Sequence, residues 1–218
     1  MIPSYAPAVP WPHLKRSLVA ILRGLRPEEA EATVGGLIEA GFEAIEIPLN
    51  SPEPFRSIEI AAKLAPDHVL IGAGTVLSQE AVDALAYAGG RLLVSPNVDA
   101  AVLARAASRG MVTMPGCFTP TEAFQALAAG ASALKFFPAS VLGPSGVAAI
   151  RAVLPAHAVL GVVGGVSEAD FGAYAKVGVK AFGLGSSLFK PGMTATDVAA
   201  RGRAAVEAYD AVFGGSER

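Results

Sequence analysis

Eight short apolar runs, each followed by an alanine-rich amphipathic segment, limit what this chain can fold into. They are "LVAILR" (18–23), "EAIEIPL" (43–49), "VLIGAGT" (69–75), "LLVSP" (92–96), "VTMPGC" (112–117), "ALKFFP" (133–138), "AVLGVVGG" (158–165) and "AFGLGSS" (181–187). Their starts lie roughly 20–26 residues apart, which leaves room for one strand and one helix per unit. The intervening segments carry helix punctuation. In "RPEEAEATVGGLIEAG", Pro27 suits the first turn and Gly41 the stop, and Ala30, Val34, Leu37 and Ile38 share a face. "TPTEAFQALAAG" opens with a capping box, Thr119 at the N-cap and Glu122 three residues on. "SEADFGAYAKVG" predicts a helix from Ser167 to Gly178. Eight strand–helix units with buried strands predict a (β/α)8 TIM barrel, lean in its loops because the chain has 218 residues. The rival is an open doubly wound sheet, and no G-x-G-x-x-G follows the first run to support it. No linker or low-complexity stretch interrupts the pattern, so residues 1–218 read as a single domain. The start, "MIPSYAPAVPWPHLKR", has prolines at 3, 7, 10 and 12. It reads as an irregular N-terminal arm leading into a short helix, and it lacks the basic and apolar regions of a secretion signal.

Composition excludes several function classes. Hydrophobic residues make up 52% and charged ones 17%, enough for a large core and too apolar for a disordered chain. Formal charge is 17 − 19 = −2 with no basic run, which argues against nucleic acid as a partner. No apolar run reaches the roughly 18 residues of a membrane-spanning helix, so no membrane association is expected. The single cysteine, Cys117, cannot form an internal disulfide. That fits a reducing compartment, and a cytoplasmic location is expected. His13, His68 and His157 are scattered without metal-ligand spacing, so no metal is expected.

In a barrel, alternate strand residues point inward and the active site forms at the C-terminal strand ends. Out-of-place polar residues collect there. Arg23 ends the first run. Glu46 is in phase with Ala44 and Pro48, while Ile45 and Ile47 take the other face. Thr75, in phase with Ala73, ends the third run. Pro96 ends the fourth, and Lys135 lies in the sixth, in phase with Ala133 and Phe137. Taken singly, each has a plain reading: a solvated Arg or Glu, a snorkelling Lys, a turn Asn50, a small buried Cys117. Together they set an amine, a carboxylate, a guanidinium and a hydroxyl at one end of one barrel.

That set supports a definite chemistry. A lysine is a nucleophile only when neutral, and burial or a nearby cation such as Arg23 favours the neutral form. A neutral Lys135 can attack a ketone to form a Schiff base, an electron sink for carbon–carbon cleavage. Glu46 is placed as the general acid/base, although an ionised Glu46 opposes the neutralisation of Lys135. The glycines that end the last two runs, Gly164 and Gly165 in "VGGVS" and Gly185 with Ser186 in "GLGSS", sit where barrels often bind phosphate. Tight βα turns are the alternative reading.

The pieces "EAIEIPLNSP", "IGAGTV", "SPN", "PGCFTPTEA", "ALKFFPAS", "VGGVS" and "GLGSSL" resemble the class I aldolases of 2-keto-3-deoxy-6-phospho sugar acids and 2-keto-4-hydroxyglutarate. The resemblance runs from about residue 18 to the last helix. It implies a (β/α)8 barrel, a phosphorylated keto-deoxy sugar acid as substrate, pyruvate as one product, no cofactor and a homotrimer. Carried over by position, Lys135 is the Schiff-base lysine and Glu46 the acid/base. Thr75 and Pro96 line a pyruvate carboxylate pocket, and Gly164, Gly165 and Ser186 hold the phosphate. The gluconate-type members usually have arginine at Asn50 and threonine at Val163. Those departures, with "ILRG", are similar to the galactonate branch, in which Arg23 would replace the missing arginine and Val163 would bear on the C4 epimer chosen. Other readings are a phosphogluconate or hydroxyglutarate aldolase, a phosphate-binding isomerase or epimerase using Glu46, and a non-catalytic phosphosugar sensor.

Overall fold

Period-two alternation in the strands produces two separate apolar layers, and these define the architecture. The computed structural model describes residues 9–214. Among them, nine strands form one parallel sheet: β1 (Leu18–Ile21), β2 (Ala44–Pro48), β3 (Leu70–Gly74), β4 (Leu92–Val94), β5 (Val112–Met114), β6 (Gly116–Cys117), β7 (Leu134–Phe136), β8 (Leu160–Val163) and β9 (Ala181–Leu184). Their order is β5-β4-β3-β2-β1-β9-β8-β7-β6. β5 and β6 are halves of the fifth run, broken at Pro115. One half pairs with β4 and the other with β7. Bonds from Ala133 N to Thr113 O (3.0 Å) and Lys135 N to Pro115 O (2.9 Å) close the ring. Proline has no N–H to give to a ladder, but its carbonyl still accepts. The result is the (β/α)8 barrel expected from the sequence.

Eight helices alternate with the strands among the described residues: α1 (Pro27–Ala40), α2 (Pro54–Leu64), α3 (Gln79–Tyr87), α4 (Ala100–Ser108), α5 (Pro120–Ala128), α6 (Ala139–Arg151), α7 (Phe171–Ala175) and α8 (Ala195–Phe213). The expected punctuation is present. Pro27 opens α1 and Gly41 closes it at φ 103°. Thr119 and Glu122 form the capping box of α5. The segment from Ser167 to Gly178 differs from expectation. Ser167 and Asp170 bond reciprocally around a 3-10 turn (Glu168–Asp170), and only five residues of α-helix follow.

Strand residues facing outward, such as Leu18, Ile45, Ile47, Ile71, Ala73 and Phe136, pack beneath the helices. Those facing inward, among them Val19, Ile21, Ala44, Leu70, Val94, Met114, Ala133 and Val163, fill the barrel. Trp11 and Leu14 of the N-terminal arm pack against this inner cluster and cover the end opposite the site. The arm has no helix from Val9 to Ser17, and residues 1–8 lie outside the described residues. The interior is narrow. A Cβ on Gly72 would lie 1.8 Å from the Leu92 carbonyl oxygen, and one on Gly161 would lie 2.1 Å from the Met114 methyl. The room left for chemistry is therefore at the C-terminal mouth.

Candidate active site

Two ionisable groups sit inside the barrel wall. Lys135, at the centre of β7, is 6% exposed, and Glu46, at the centre of β2, is 2% exposed. Strand phase turns both inward, as the sequence predicts. The Lys135 Nζ lies 4.8 Å from the centroid of the Phe137 ring, close enough for a cation–π contact when charged. Glu46 Oε2 is buried without a hydrogen-bond partner. It has room only because residue 74 is glycine, since a Cβ there would lie 1.9 Å from that oxygen.

Burial controls the protonation of both groups. Desolvation is the largest influence on Lys135 and lowers it to about 8; Glu46 works against this and Arg23 reinforces it. Desolvation is also the largest influence on Glu46 and raises it to about 7, opposed by Lys135 and then Arg23. No ion pair joins the two, so each keeps much of its burial penalty. Near neutrality this places an amine with an accessible neutral form beside a carboxyl that can give or take a proton.

The rim residues are placed by loops. Arg23 follows β1 and donates from Nη1 to Asn50 Oδ1, so the residue at the departure position orients the proposed replacement cation. The next backbone N–H, that of Gly24, donates to Ser51 Oγ at 2.9 Å. Thr75 follows β3 with φ 59°. The sequence put it in phase with Ala73 as an inward residue. Ala73 in fact faces the helices, Gly72 and Gly74 face the interior, and Thr75 leaves the strand through a left-handed turn. Such a conformation is strained for a β-branched residue and is found where surrounding structure imposes it. Pro96 is exposed after β4, and its carbonyl occupies the space where Gly116 lacks a Cβ.

A cavity of about 340 Å³ opens over β1, β7, β8 and β9. Of the predicted site residues, Arg23, Val163, Gly164, Gly165, Gly185 and Ser186 line it. Lys135, Glu46, Asn50, Thr75 and Pro96 are not in that lining. The first two adjoin it through Phe137, which touches the lysine, and Ile21, which pairs with Glu46 across β1 and β2. Gly164 (φ 92°) and Gly165 (φ 73°) adopt backbone that other residues resist, and a Cβ on Gly164 would press on the Phe137 ring at 3.0 Å. The sequence reading passed over Lys190, which also lines the cavity. Its one signal was a cation three residues after the "GSS" turn. Among the described residues, no group of three or more His, Cys, Asp and Glu is placed to hold a metal ion.

Comparison with known proteins places these features in context. A family model described as KDPG and KHG aldolase matches residues 13–212. A "probable 2-dehydro-3-deoxy-6-phosphogalactonate aldolase" of Rhizobium meliloti (strain 1021) is 66% identical over 209 residues, covering 96% of this chain and 99% of that protein. The 2-dehydro-3-deoxy-6-phosphogalactonate aldolase of Escherichia coli (strain K12) is 48% identical over 195 residues, covering 89% and 95%. A solved structure described as "Native KDPGal structure" superposes with a TM-score of 0.91 at 46% identity, covering 94% of this chain and 99% of that one. A cage "designed by fusing symmetric oligomeric domains" matches with a TM-score of 0.90 at 47% identity, over 93% of this chain and 75% of the other.

Proposed function

The chain belongs to the KDPG and KHG aldolase family, and on that premise we propose that it cleaves 2-dehydro-3-deoxy-6-phosphogalactonate to pyruvate and D-glyceraldehyde 3-phosphate through a Schiff base on Lys135. The reaction class is a carbon–carbon lyase. The observation that carries the assignment of residues is the buried Lys135 facing the barrel interior with the buried, unpartnered Glu46 oxygen.

The steps follow from those two groups. Neutral Lys135 attacks the C2 ketone, and the carbinolamine loses water, with Glu46 moving the protons. In the resulting iminium, Glu46 takes the proton of the C4 hydroxyl. The C3–C4 bond breaks, and its electron pair passes into the iminium to give an enamine. Glyceraldehyde 3-phosphate leaves as the aldehyde. Protonation at C3 and hydrolysis then release pyruvate and free Lys135. In this reading Arg23, oriented by Asn50, and Thr75 and Pro96 serve the keto-acid end. Gly164, Gly165, Gly185 and Ser186 hold the phosphate. Val163, an inward residue of β8 that lines the cavity, faces the C4 region and favours the galactonate epimer. The relatives at 66% and 48% identity carry the galactonate name, which supports that choice over the gluconate and hydroxyglutarate alternatives.

We further propose that residues 1–218 act as one domain, that the enzyme works in the cytoplasm and that it assembles as a homotrimer. The similarity to a domain used for symmetric assembly supports the last point. Incubation with pyruvate, reduction with borohydride and peptide mapping test the mechanism, with stable modification expected at Lys135. Folded, active protein left unmodified there rules the mechanism out. Rates on the two C4 epimers test the specificity, and equal rates overturn it.

A further inference from the structure

The loop after β9 is built more rigidly than a surface connection requires. Leu188 N and Phe189 N both donate to Gly185 O at 2.9 Å, and Phe189 is buried. Arg201 Nη1 donates to Ser187 O at 3.2 Å. Residues 190–193 form a tight turn, with Met193 N donating to Lys190 O at 3.1 Å and Gly192 at φ 86°. Pro191 packs on Gly24 so closely that a Cβ at Gly24 would lie 2.7 Å from the proline ring. This contact brings the loops bearing Arg23 and Lys190 together at one rim.

The cavity lining holds these two cations and no carboxylate. Arg23 is already engaged with Asn50. Lys190 has no ion pair and no side-chain hydrogen bond among the described residues, yet it lines the same cavity as Gly164, Gly165 and Ser186. Backbone N–H groups and a hydroxyl are neutral donors. A phosphate carrying nearly two charges gains much more from a cation, because charge-assisted hydrogen bonds are roughly twice as strong as neutral ones. We infer that Lys190 is the charge partner of the substrate's terminal phosphate and sets the preference for phosphorylated over unphosphorylated sugar acids. This rests on the aldolase reading above. It divides the cations by role, Arg23 to the keto-acid end and Lys190 to the phosphate end.

The test compares wild type, Lys190→Ala and Lys190→Arg. Because Lys190 is exposed, the variants are expected to melt at the wild-type temperature. Lys190→Ala is expected to raise KM for the phosphorylated substrate about tenfold while kcat stays within about twofold. Activity on the unphosphorylated sugar acid should not change, and Lys190→Arg should restore KM. Inorganic phosphate, titrated calorimetrically, should bind wild type and Lys190→Arg and bind Lys190→Ala at least about tenfold more weakly. An equal loss on both substrates, unchanged KM, or phosphate affinity indifferent to the substitution overturns the inference. Borohydride trapping of pyruvate, which has no phosphate, should be the same in all three proteins. Its failure in wild type counts against the aldolase reading and leaves the phosphate titration to judge Lys190.

Discussion

At the level of single residues, the site depends on the balance between burial and charge around Lys135. Burial lowers the lysine to about 8, with Glu46 pulling it up and Arg23 pushing it down. Removing either neighbour should therefore move the pH dependence of pyruvate trapping in opposite directions. In wild type the trapping rate should rise with pH and level off above about 8, as the neutral amine becomes the main form. Arg23→Ala removes a repelling cation, so the rise should shift to higher pH and trapping at pH 7 should slow by about threefold. Glu46→Gln removes an attracting anion, so the rise should shift to lower pH, while the plateau falls by about a hundredfold with the loss of the acid/base. Shifts of the same sign in both variants rule out this balance. Lys135 and Glu46 were legible in the sequence because each is a charge in a run whose other residues alternate by strand period. The orientation of Thr75 was not legible, because a left-handed φ of 59° leaves no trace in a pattern of alternating side chains. Lys190 carried no signal of that kind, since a loop fold brings it to the cavity.

At the level of elements, β3 shows how a strand makes room for chemistry. After Leu70, its two remaining inward residues, Gly72 and Gly74, are both glycine, and each is required by a different neighbour. At Gly74 an added Cβ would lie 1.9 Å from Glu46 Oε2, whereas at Gly72 it would lie 1.8 Å from the Leu92 backbone oxygen. A side-chain end can move, but a paired strand cannot do so without breaking its ladder. Gly74→Ala should displace the carboxylate and cut kcat by about a hundredfold, with a stability loss of about 1–3 kcal/mol. Gly72→Ala must shift β4 and should cost more, on the order of 3 kcal/mol or above. Urea midpoints and kcat for the two variants check this, and the reverse order of stability would contradict the assigned strand facing. The same comparison explains what the sequence could show at this scale. The strand spacing and the capping signals of α1 and α5 are local, and they were readable. The split of the fifth strand at Pro115 depends on pairing across the ring, which no local pattern encodes. The Ser167–Asp170 capping box, by contrast, is local, and it marks where the seventh helical segment starts but not that its first turn is 3-10 and its α-helix short.

At the scale of the whole molecule, the barrel keeps two groups in states that oppose its stability. Lys135 has a lower pKa folded, about 8, than its ordinary 10.5. The unfolded chain therefore holds the extra proton between those values, and stability from this group is gained as pH rises from about 8 to 10.5. Below about 8 its penalty is fully present. Glu46 has a higher pKa folded, about 7, than its ordinary 4.5. Here the folded chain holds the extra proton, so stability is lost as pH rises from 4.5 to about 7. The two penalties overlap fully between about pH 7 and 8, the range in which an amine of this kind and its acid/base partner are most useful. Replacing both with apolar side chains of similar size, Lys135→Met with Glu46→Leu, should abolish turnover and stabilise the fold at pH 7.5 by about 1–4 kcal/mol. The gain should shrink as pH falls from about 7 through 4.5, below which Glu46 is neutral in both states and only the lysine share remains. Lys135→Met alone should gain less, because it leaves the buried carboxyl without the cation that steadies its ionised form. Thermal melts of the three proteins across this pH range measure the effect. A double variant that melts below wild type at pH 7.5 would mean that the pair holds the barrel together, and that the desolvation invoked to activate Lys135 is offset within the fold itself.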